Sequence, residues 1–377
     1  MTPNDLNDSM TKMTNPLKLK VLDAYLIRQY LSTVFFSLLI FSMISCAIDF
    51  SDKVQSIIEK PCTWKDVMAY YMGFVTHMAS LLLPLYTLIG VVFFTSRLAS
   101  NSEILSIFNA GIGFRRLLRP YLLAASAVML LHLTINHFGA PVLNQWKLWF
   151  EHTFVWTDQD KGKTTNVHML TSPNTKVFVR GYNKNSKTAS GLRLERFEGN
   201  KVFSILEADQ AKWKGEPNHW ELPKWSVRTF DGLRENYTEH NTPLDTAINI
   251  SPADFVYYAN QREEMTTPEL LDAIDRDRGR GLPYTRSYEV EMHRRTADAF
   301  TIIILTIIGL AVAGRKVRGG MGLHLAVGIG IGAAYIVFSK FTVSFATGGA
   351  MPIWLGMWLP NIAFGLMAWW LVSRAQK

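Results

Sequence analysis

The chain has 377 residues, 48% of them hydrophobic, and its formal net charge is +8 at pH 7. Long apolar blocks flank a strongly polar middle third, a contrast typical of membrane spans with one inserted soluble domain. The basic residues cluster beside the apolar blocks, which follows the positive-inside pattern and argues against a nucleic-acid partner. The two cysteines, Cys46 and Cys62, exclude a disulfide framework and have no metal-ligand neighbours at short spacing.

Six apolar blocks reach or approach the roughly 20 residues that a helix needs to cross a bilayer. They are residues 27–48, 67–94, 120–138, 299–313, 321–345 and 353–372. No small-residue cleavage site follows the first block, so we predict a retained span and not a signal peptide. The second block keeps Pro84 as a kink, and the fourth is expected to extend backward through residues 294–298.

The positive charges predict the orientation of these spans. Four basic sets lie before the first span, between the second and third, between the fourth and fifth, and after the sixth. They are Lys12, Lys18, Lys20 and Arg28; Arg97, Arg115, Arg116 and Arg119; Arg315, Lys316 and Arg318; and Arg374 and Lys377. Six spans put all four sets on one side, so both termini are predicted to be cytoplasmic.

The polar block between the third and fourth spans is therefore expected outside the cytoplasm, and it has the pattern of a β domain. Alternating segments at 176–180, 192–197, 202–206 and 225–230 are separated by turn residues at Gly191, 199–200, 215–218 and 231–232. Short strands at this spacing predict a sandwich or jelly roll. A helix should follow, with a capping box from Thr266 to Glu269 and an end near Gly279 and Gly281.

No catalytic motif stands out, so we do not expect an enzyme or a bound cofactor. Gly162-Lys163-Thr164 imitates the end of a P-loop, but Thr157 holds the position of its first glycine. His77, His132 and His137 are expected to be satisfied polar groups in or near the spans. In the fifth span, Gly328 and Gly332 form a small-xxx-small face that predicts close helix packing.

The loop after the second span carries a short amphipathic helix. Ile104, Leu105, Ile107 and Phe108 form its apolar face, Ser102 or Asn101 can cap its start, Glu103 lies in its first turn, and Gly111 ends it. Such a helix can rest in the lipid headgroups or dock into a groove of a partner protein, and the residues alone do not decide between the two.

The order of several short motifs resembles the LptF/LptG permeases of bacterial lipopolysaccharide export along almost the whole chain. The motifs are 22–27 (LDAYLI), Ser102-Glu103-Ile104 with Gly111, 208–213 (ADQAKW) with 220–222 (WEL), 288–295 (YEVEMHRR) and 359–361 (LPN). The resemblance implies an α-helical integral membrane protein with six transmembrane helices and an inserted periplasmic β-jelly-roll domain. The implied division is 1–138 with spans one to three, 139–292 for the jelly roll, and 293–377 with spans four to six.

The resemblance also implies partners and a site. It implies a permease subunit of an ABC transporter in the bacterial inner membrane, with a cytoplasmic LptB-like ATPase dimer, a second permease of the same family, periplasmic LptC/LptA-like proteins, and lipopolysaccharide as cargo. The loop helix would be the ATPase-coupling element, with Ser102, Glu103, Ile104, Leu105, Ile107 and Phe108. Lipid would enter beside the first and fifth spans, where Asp49, Asp52, Lys53 and Lys340 are the predicted gate charges.

Two points stay open within this resemblance. Asp49 stands where the family often has a basic residue, so we expect Lys340 to lie near Asp49 and to supply that charge, unless each side chain snorkels separately. The start Asp23-Ala24-Tyr25 leans toward the LptG type over LptF. The competing interpretations are a lipid-modifying membrane enzyme and a permease of another ABC system, such as a lipoprotein exporter.

Overall fold

The computed structural model describes residues 21–155, 164–232, 234–255, 261–281, 285–315 and 320–375. The chain divides into two compact units. The helical unit comprises the described parts of Met1–Ile48, His77–Asn136 and Arg294–Lys377, and the β unit comprises those of Asp49–Thr76 and His137–His293. Some residues named above lie outside the described ranges: Lys12, Lys18, Lys20, Thr157, Gly162, Lys163, Lys316, Arg318 and Lys377.

Nine α-helices lie within the described residues. They are α1 (Val21–Glu59), α2 (Trp64–Ser100), α3 (Glu103–Asn109), α4 (Phe114–Thr134), α5 (Ala140–Phe150), α6 (Thr267–Arg280), α7 (Thr285–Ala313), α8 (Gly320–Thr347) and α9 (Ile353–Arg374). Among the described residues six helices are long and apolar enough to cross a membrane: α1, α2, the helix that α4 begins, α7, α8 and α9. The six predicted spans are therefore confirmed.

The first three of these helices are longer than the apolar blocks that predicted them. α1 has 39 residues and α2 has 37, including Pro84. At 1.5 Å per residue, α1 measures about 58 Å, well beyond the roughly 30 Å of a hydrocarbon core. A bilayer therefore covers only part of each helix, and their ends continue into the β unit.

The third span is also longer than its predicted end at residue 138. π-helical turns at Ile135–Gly139 and Glu151–Val155 join α4 and α5 into one helix of 42 residues, Phe114–Val155. The polar block was predicted to be β from residue 139, and that prediction is wrong for α5. Pro141 follows just after the first π-helical turn, so its missing N–H falls where the helical hydrogen-bond pattern already changes.

Close packing in the helical unit is concentrated where small residues meet branched ones. A Cβ at Gly328 would lie 3.0 Å from the Val92 side chain, and one at Gly332 would meet the side chain of Leu85. This confirms the predicted small-xxx-small face and shows that it packs on α2. Deeper in the bundle, Thr301, Tyr335 and Asn361 form a buried hydrogen-bonded group across α7, α8 and α9, with distances of 2.6–3.0 Å.

The β unit is built on a sheet of eight antiparallel strands within the described residues, which fits the predicted inserted β domain. The strands are β1 (Thr165–Ser172), β2 (Thr175–Asn183), β3 (Thr188–Glu198), β4 (Lys201–Gly215), β5 (His219–Leu222), β6 (Trp225–Asp231), β7 (Arg234–His240) and β8 (Leu244–Ala247). Their order is β1-β2-β3-β4-β5-β8, and β4 also pairs with β6, which pairs with β7. The long strand β4 therefore serves two branches of the sheet.

All four alternating segments predicted from the sequence lie inside strands, namely β2, β3, β4 and β6. Gly191 was predicted to be a turn between strands, and this is wrong. It lies inside β3 with φ of +63°, and a Cβ there would approach Cβ of Arg180 to 2.9 Å. Glycine is suited to this left-handed position, where any side chain would also meet the neighbouring strand.

One face of the sheet forms the apolar core of the β unit. Val177 and Val179 of β2 pair with Leu194 and Leu192 of β3, and Trp220 closes the core from β5. Residues 248–255 cross this face, and Phe255 stacks on Tyr182 with ring centroids 4.1 Å apart. α6 follows with the predicted capping box, in which the backbone N–H of Thr266 donates to Glu269 at 2.7 Å.

Candidate functional site

The predicted coupling helix is present as α3, and its ends are defined by backbone geometry. Ser102 occupies the N-cap position in the left-handed region, with φ of +62°, and its side chain makes no cap hydrogen bond. At the other end Gly111 has φ of +79°, its N–H bonds to Phe108 O at 2.9 Å, and Ile112 N–H bonds to Ile107 O at 3.3 Å. This is the Schellman arrangement that glycine stabilises after a helix.

The apolar residues of α3 point in two directions. Ile104 is 2% exposed and belongs to the main core cluster of the helical unit, against which Ile107 and Phe108 also pack. Leu105 is 55% exposed, and Ser106 beside it is exposed as well. Most of the predicted apolar face therefore fixes α3 to its own chain, and Leu105 remains as the apolar side chain that α3 presents outward.

Glu103 is held by polar neighbours of its own chain. The Tyr25 hydroxyl donates to Glu103 Oε2 at 3.3 Å, and Asn101 Nδ2 donates to Glu103 Oε1 at 3.4 Å. These are long, exposed hydrogen bonds, and such contacts contribute little to stability. The carboxylate is thus oriented without being sequestered, and it stays accessible to a stronger cationic partner.

Two of the four predicted gate charges meet in the β unit. Lys53 Nζ lies 2.7 Å from Asp49 Oδ1 one helical turn away and 2.8 Å from Glu151 Oε1 of the second π-helical turn. The Tyr70 hydroxyl donates to Asp49 Oδ2 at 2.7 Å and accepts from Lys53. Lys147 adds a second cation, 3.8 Å from Glu151 Oε2. We call these five side chains the Lys53 network.

The other two predicted gate charges are not among these five side chains. Asp52 is exposed on α1, and Lys340 is exposed on α8 in the helical unit. Tyr70, Lys147 and Glu151 were not predicted as site residues. The i,i+4 spacing of Asp49 and Lys53 was readable from the sequence, whereas Tyr70 and Glu151 come from helices 17 and 98 positions further along from Lys53.

Two of the histidines that were predicted to be satisfied polar groups have these hydrogen-bond partners. His132 is buried, and its Nε2 lies 3.0 Å from the backbone O of Ser80. His137 Nδ1 lies 2.7 Å from the hydroxyl of Thr267 at the start of α6. Within the described residues no group of three or more His, Cys, Asp or Glu side chains is arranged to hold a metal ion.

A titratable group with a displaced pKa lies beside the Lys53 network. The pKa of Glu264 is raised to about 7, chiefly by burial and then by the neighbouring charge of Glu263, while Lys147 acts against both. The backbone O of Glu264 also accepts a hydrogen bond from Gln145 Nε2 at 3.0 Å. The segment before α6 is therefore tied to α5, with a carboxyl group that changes charge near neutral pH.

A protein-family model described as lipopolysaccharide export system permease LptF/LptG matches residues 24–374. The chain belongs to the LptF/LptG family. The match begins in the first turns of α1 and ends at the last residue of α9, so it includes both units of this LptF/LptG protein. One relative, the lipopolysaccharide export system permease protein LptG of Haemophilus influenzae, is 20% identical over 383 residues, or 94% of this chain and 99% of the relative. The resemblance inferred from the motifs is confirmed.

Proposed function

We propose that this LptF/LptG protein is a permease subunit of an ABC transporter in the bacterial inner membrane. It extracts lipopolysaccharide from that membrane and passes it to a periplasmic bridge, and a separate subunit hydrolyses ATP. The observation that carries the proposal is the family match over residues 24–374, which includes all six candidate spans. The relative named LptG, matched over 99% of its length, favours the LptG type over LptF.

The distribution of apolar surface supports a transport role. In the most apolar windows of the six candidate spans, the buried share is lowest for α1, at 17%, and α8, at 22%, and highest for α7, at 61%. Each methylene of an acyl chain that leaves lipid for water costs about 0.8 kcal/mol, so extraction requires a continuous apolar surface. α1 and α8 therefore expose the most apolar surface, which can contact lipid or the second permease. The family resemblance places the lipid gate at the same two spans.

The ion pair between Asp49 and Lys53 changes the roles that we propose for the predicted gate charges. Asp49 has Lys53 as its cation, so a pairing of Asp49 with Lys340 would have to compete with an ion pair of 2.7 Å. Lys340 is the candidate for lipid phosphate, with Asp52 and Lys53 near the mouth of the gate. Lys340→Glu should then impair export. If Asp49→Lys with Lys340→Asp restores it in part, the two residues pair; if it restores nothing, that pairing is refuted.

The proposed partners are a cytoplasmic LptB-like ATPase dimer, a second LptF/LptG permease and periplasmic LptC/LptA-like proteins. α3 would be the contact with the ATPase, and Leu105 and Glu103 would supply its apolar and charged parts. The decisive experiment is purification of the tagged chain from its own bacterium. We expect an ATPase and a second permease to copurify, and the complex to release lipopolysaccharide from proteoliposomes when ATP is added. A chain that purifies alone and modifies lipid would support the membrane-enzyme alternative.

The role of α3 has its own test in Glu103→Arg. The substitution should leave the chain folded, because the native hydrogen bonds of Glu103 are long and exposed. It should weaken ATPase copurification or uncouple ATP hydrolysis from lipid release at least about tenfold, since a charged contact contributes 1.5–3 kcal/mol. Glu239→Arg, on the exposed strand β7, makes the same charge change away from α3 and should have no effect. Normal export and a normal complex in Glu103→Arg would show that α3 is not the coupling element.

A further inference from the structure

The motif at residues 22–27 opens the first helix, and the proposed function gives it no role. The structure shows what its acid does. Asp23 is buried in the first turn of α1 and accepts two hydrogen bonds from the guanidinium of Arg116, Nη1 to Oδ1 at 2.8 Å and Nη2 to Oδ2 at 2.6 Å. This two-point geometry is the strongest and most directional form of an ion pair between side chains.

The helix dipoles at the starts of α1 and α4 favour this ion pair. Arg116 stands in the first turn of α4, where the helix dipole disfavours a cation, so Arg116 needs a nearby anion. Asp23 supplies that anion from the first turn of α1, where the dipole favours it. Asp23 is the more buried partner, so removing Arg116 would take two charge-assisted hydrogen bonds from a buried carboxylate, and removing Asp23 would leave the guanidinium without this anion at the start of α4.

α3 is fixed in the same corner of the helical unit. A helix of seven residues is too short to be stable alone, so its packing decides where it lies. Ile104 of α3 belongs to the same buried cluster as Leu26 of α1 and Leu117 of α4. Tyr25, two residues after Asp23, donates to Glu103. The first turns of α1 and α4 thus form the base on which α3 rests.

Beyond Asp23, the same stretch of α1 also packs against α4 and α7. Its buried residues follow one stripe at helical spacing: Asp23, Leu26, Tyr30 and Val34. The hydroxyls of Tyr30 and Thr306 of α7 lie 2.9 Å apart, and the rings of Tyr30 and Tyr121 of α4 meet edge to face. A displacement at the base of α3 therefore has a packed route into α1.

We propose that Asp23 and Arg116 are positioning residues that hold the first turns of α1, α3 and α4 as one rigid corner. This corner presents α3 to the ATPase and transmits the displacement of α3 to α1. The proposal rests on the proposed function, in which α3 contacts the ATPase. The ion pair itself touches neither cargo nor nucleotide.

The first test needs no partner protein. Hydrogen exchange of the purified full chain in detergent should be compared for wild type, Asp23→Asn, Arg116→Gln and the swap Asp23→Arg with Arg116→Asp. Amides of α3 should exchange about tenfold faster in the two single variants, and the swap should restore slow exchange. Arg115→Gln is the matched control, because Arg115 is an exposed arginine in the same turn. Unchanged exchange in α3, or an equal increase in α9, would refute a positioning role.

The second test uses the complex with the ATPase that copurifies with the chain. The single variants should lower the kcat of lipopolysaccharide-stimulated ATP hydrolysis severalfold and leave KM for ATP unchanged, since the nucleotide site is on another chain. The swap should recover most of kcat, and Arg115→Gln should match wild type. If the ATPase copurifies and kcat is unchanged in every variant, the inference fails. If no ATPase copurifies with wild type, the proposed function fails instead, and the exchange result still decides the rigid corner.

Discussion

At the scale of single residues, Lys53 balances two carboxylates in the β unit. Its ammonium contacts Asp49 and Glu151, and each of the three side chains is less than 15% exposed. Lys53→Met keeps the packing of the stem but removes the cation, which takes the closest ion pair from both carboxylates and leaves Glu151 with Lys147 at 3.8 Å. We expect a loss of about 3 kcal/mol in the free energy of unfolding, because a broken buried ion pair leaves uncompensated charge.

The measurement is the thermal unfolding midpoint of the purified chain in detergent. Lys65→Met is the control, since Lys65 is exposed near the start of α2 and should change stability by no more than about 0.5 kcal/mol. Equal midpoints for Lys53→Met and wild type would mean that the Lys53 network contributes nothing to stability.

Glu264 makes the β unit sensitive to pH. Because burial raises its pKa to about 7, the folded state favours the protonated form. The contribution of this group to stability is complete below its unfolded pKa of about 4.3 and is lost as pH rises through 7. Since Glu264 is only half-buried, we discount the effect for solvent screening and expect about 1–2 kcal/mol between pH 5 and pH 8.

Glu264→Gln should therefore stabilise the chain at pH 8 and change little at pH 5. Unfolding midpoints at the two pH values measure this, and the relevant quantity is the difference between variant and wild type. Glu239→Gln, on the exposed strand β7, should shift neither value. An equal effect of Glu264→Gln at both pH values would contradict the raised pKa.

At the scale of elements, α9 carries two glycines in very different surroundings. A Cβ at Gly356 would lie 2.5 Å from Cβ of Ala346 and 3.1 Å from the backbone O of Thr342, both in α8, whereas one at Gly365 meets nothing within 4 Å. Gly356→Ala should force α8 and α9 apart and cost about 1–3 kcal/mol. Gly365→Ala should be neutral or slightly stabilising, because alanine is the better helix former.

The two alanine variants form a matched pair in one helix, and their unfolding midpoints in detergent should differ with Gly356→Ala lower. The reverse order would show that the contact between α8 and α9 is looser than the distances indicate.

The elements that could be predicted from the sequence are those in which buried and exposed residues follow a regular pattern along the element. The six spans are continuous apolar blocks, and β2 and β3 alternate because one face is the core of the β unit. α5 was not predicted because it follows Gly139 and carries the charged Lys147 between its two tryptophans. β7 was not predicted because all its residues are exposed, so its sequence shows no alternation of apolar and polar residues.

The candidate site also has a part that local sequence signals predict and a part that depends on contacts between distant residues. The bounds of α3 followed from Glu103 and Gly111, which are local signals. The inward packing of Ile104, and the contacts of Lys53 with Tyr70 and Glu151, depend on residues far away in sequence. Periodicity on one helix predicts that an apolar face exists but not whether its own chain or a partner covers it. For α3 its own chain covers most of that face.

At the scale of the whole molecule, the number of spans fixes which segments share a side of the membrane. α1 and α2 precede α3, and the helix Phe114–Val155 separates α3 from the sheet of the β unit. We therefore predict that α3 and the strands lie on opposite sides of the membrane, because one crossing separates them. By the positive-inside rule, the arginines beside α3, Arg97 and Arg115, predict that the α3 side is cytoplasmic.

Cysteine labelling in intact cells tests this topology. In a background with Cys46→Ala and Cys62→Ala, Leu105→Cys reports on α3 and Glu239→Cys reports on β7, and both positions are exposed. A membrane-impermeant thiol reagent that crosses only the outer membrane should label Glu239→Cys and leave Leu105→Cys unlabelled until the cells are broken. Labelling of both positions in intact cells would remove the crossing between them, and the six-span model with it. Labelling of Leu105→Cys alone would invert the orientation and place α3 where no cytoplasmic ATPase can reach it.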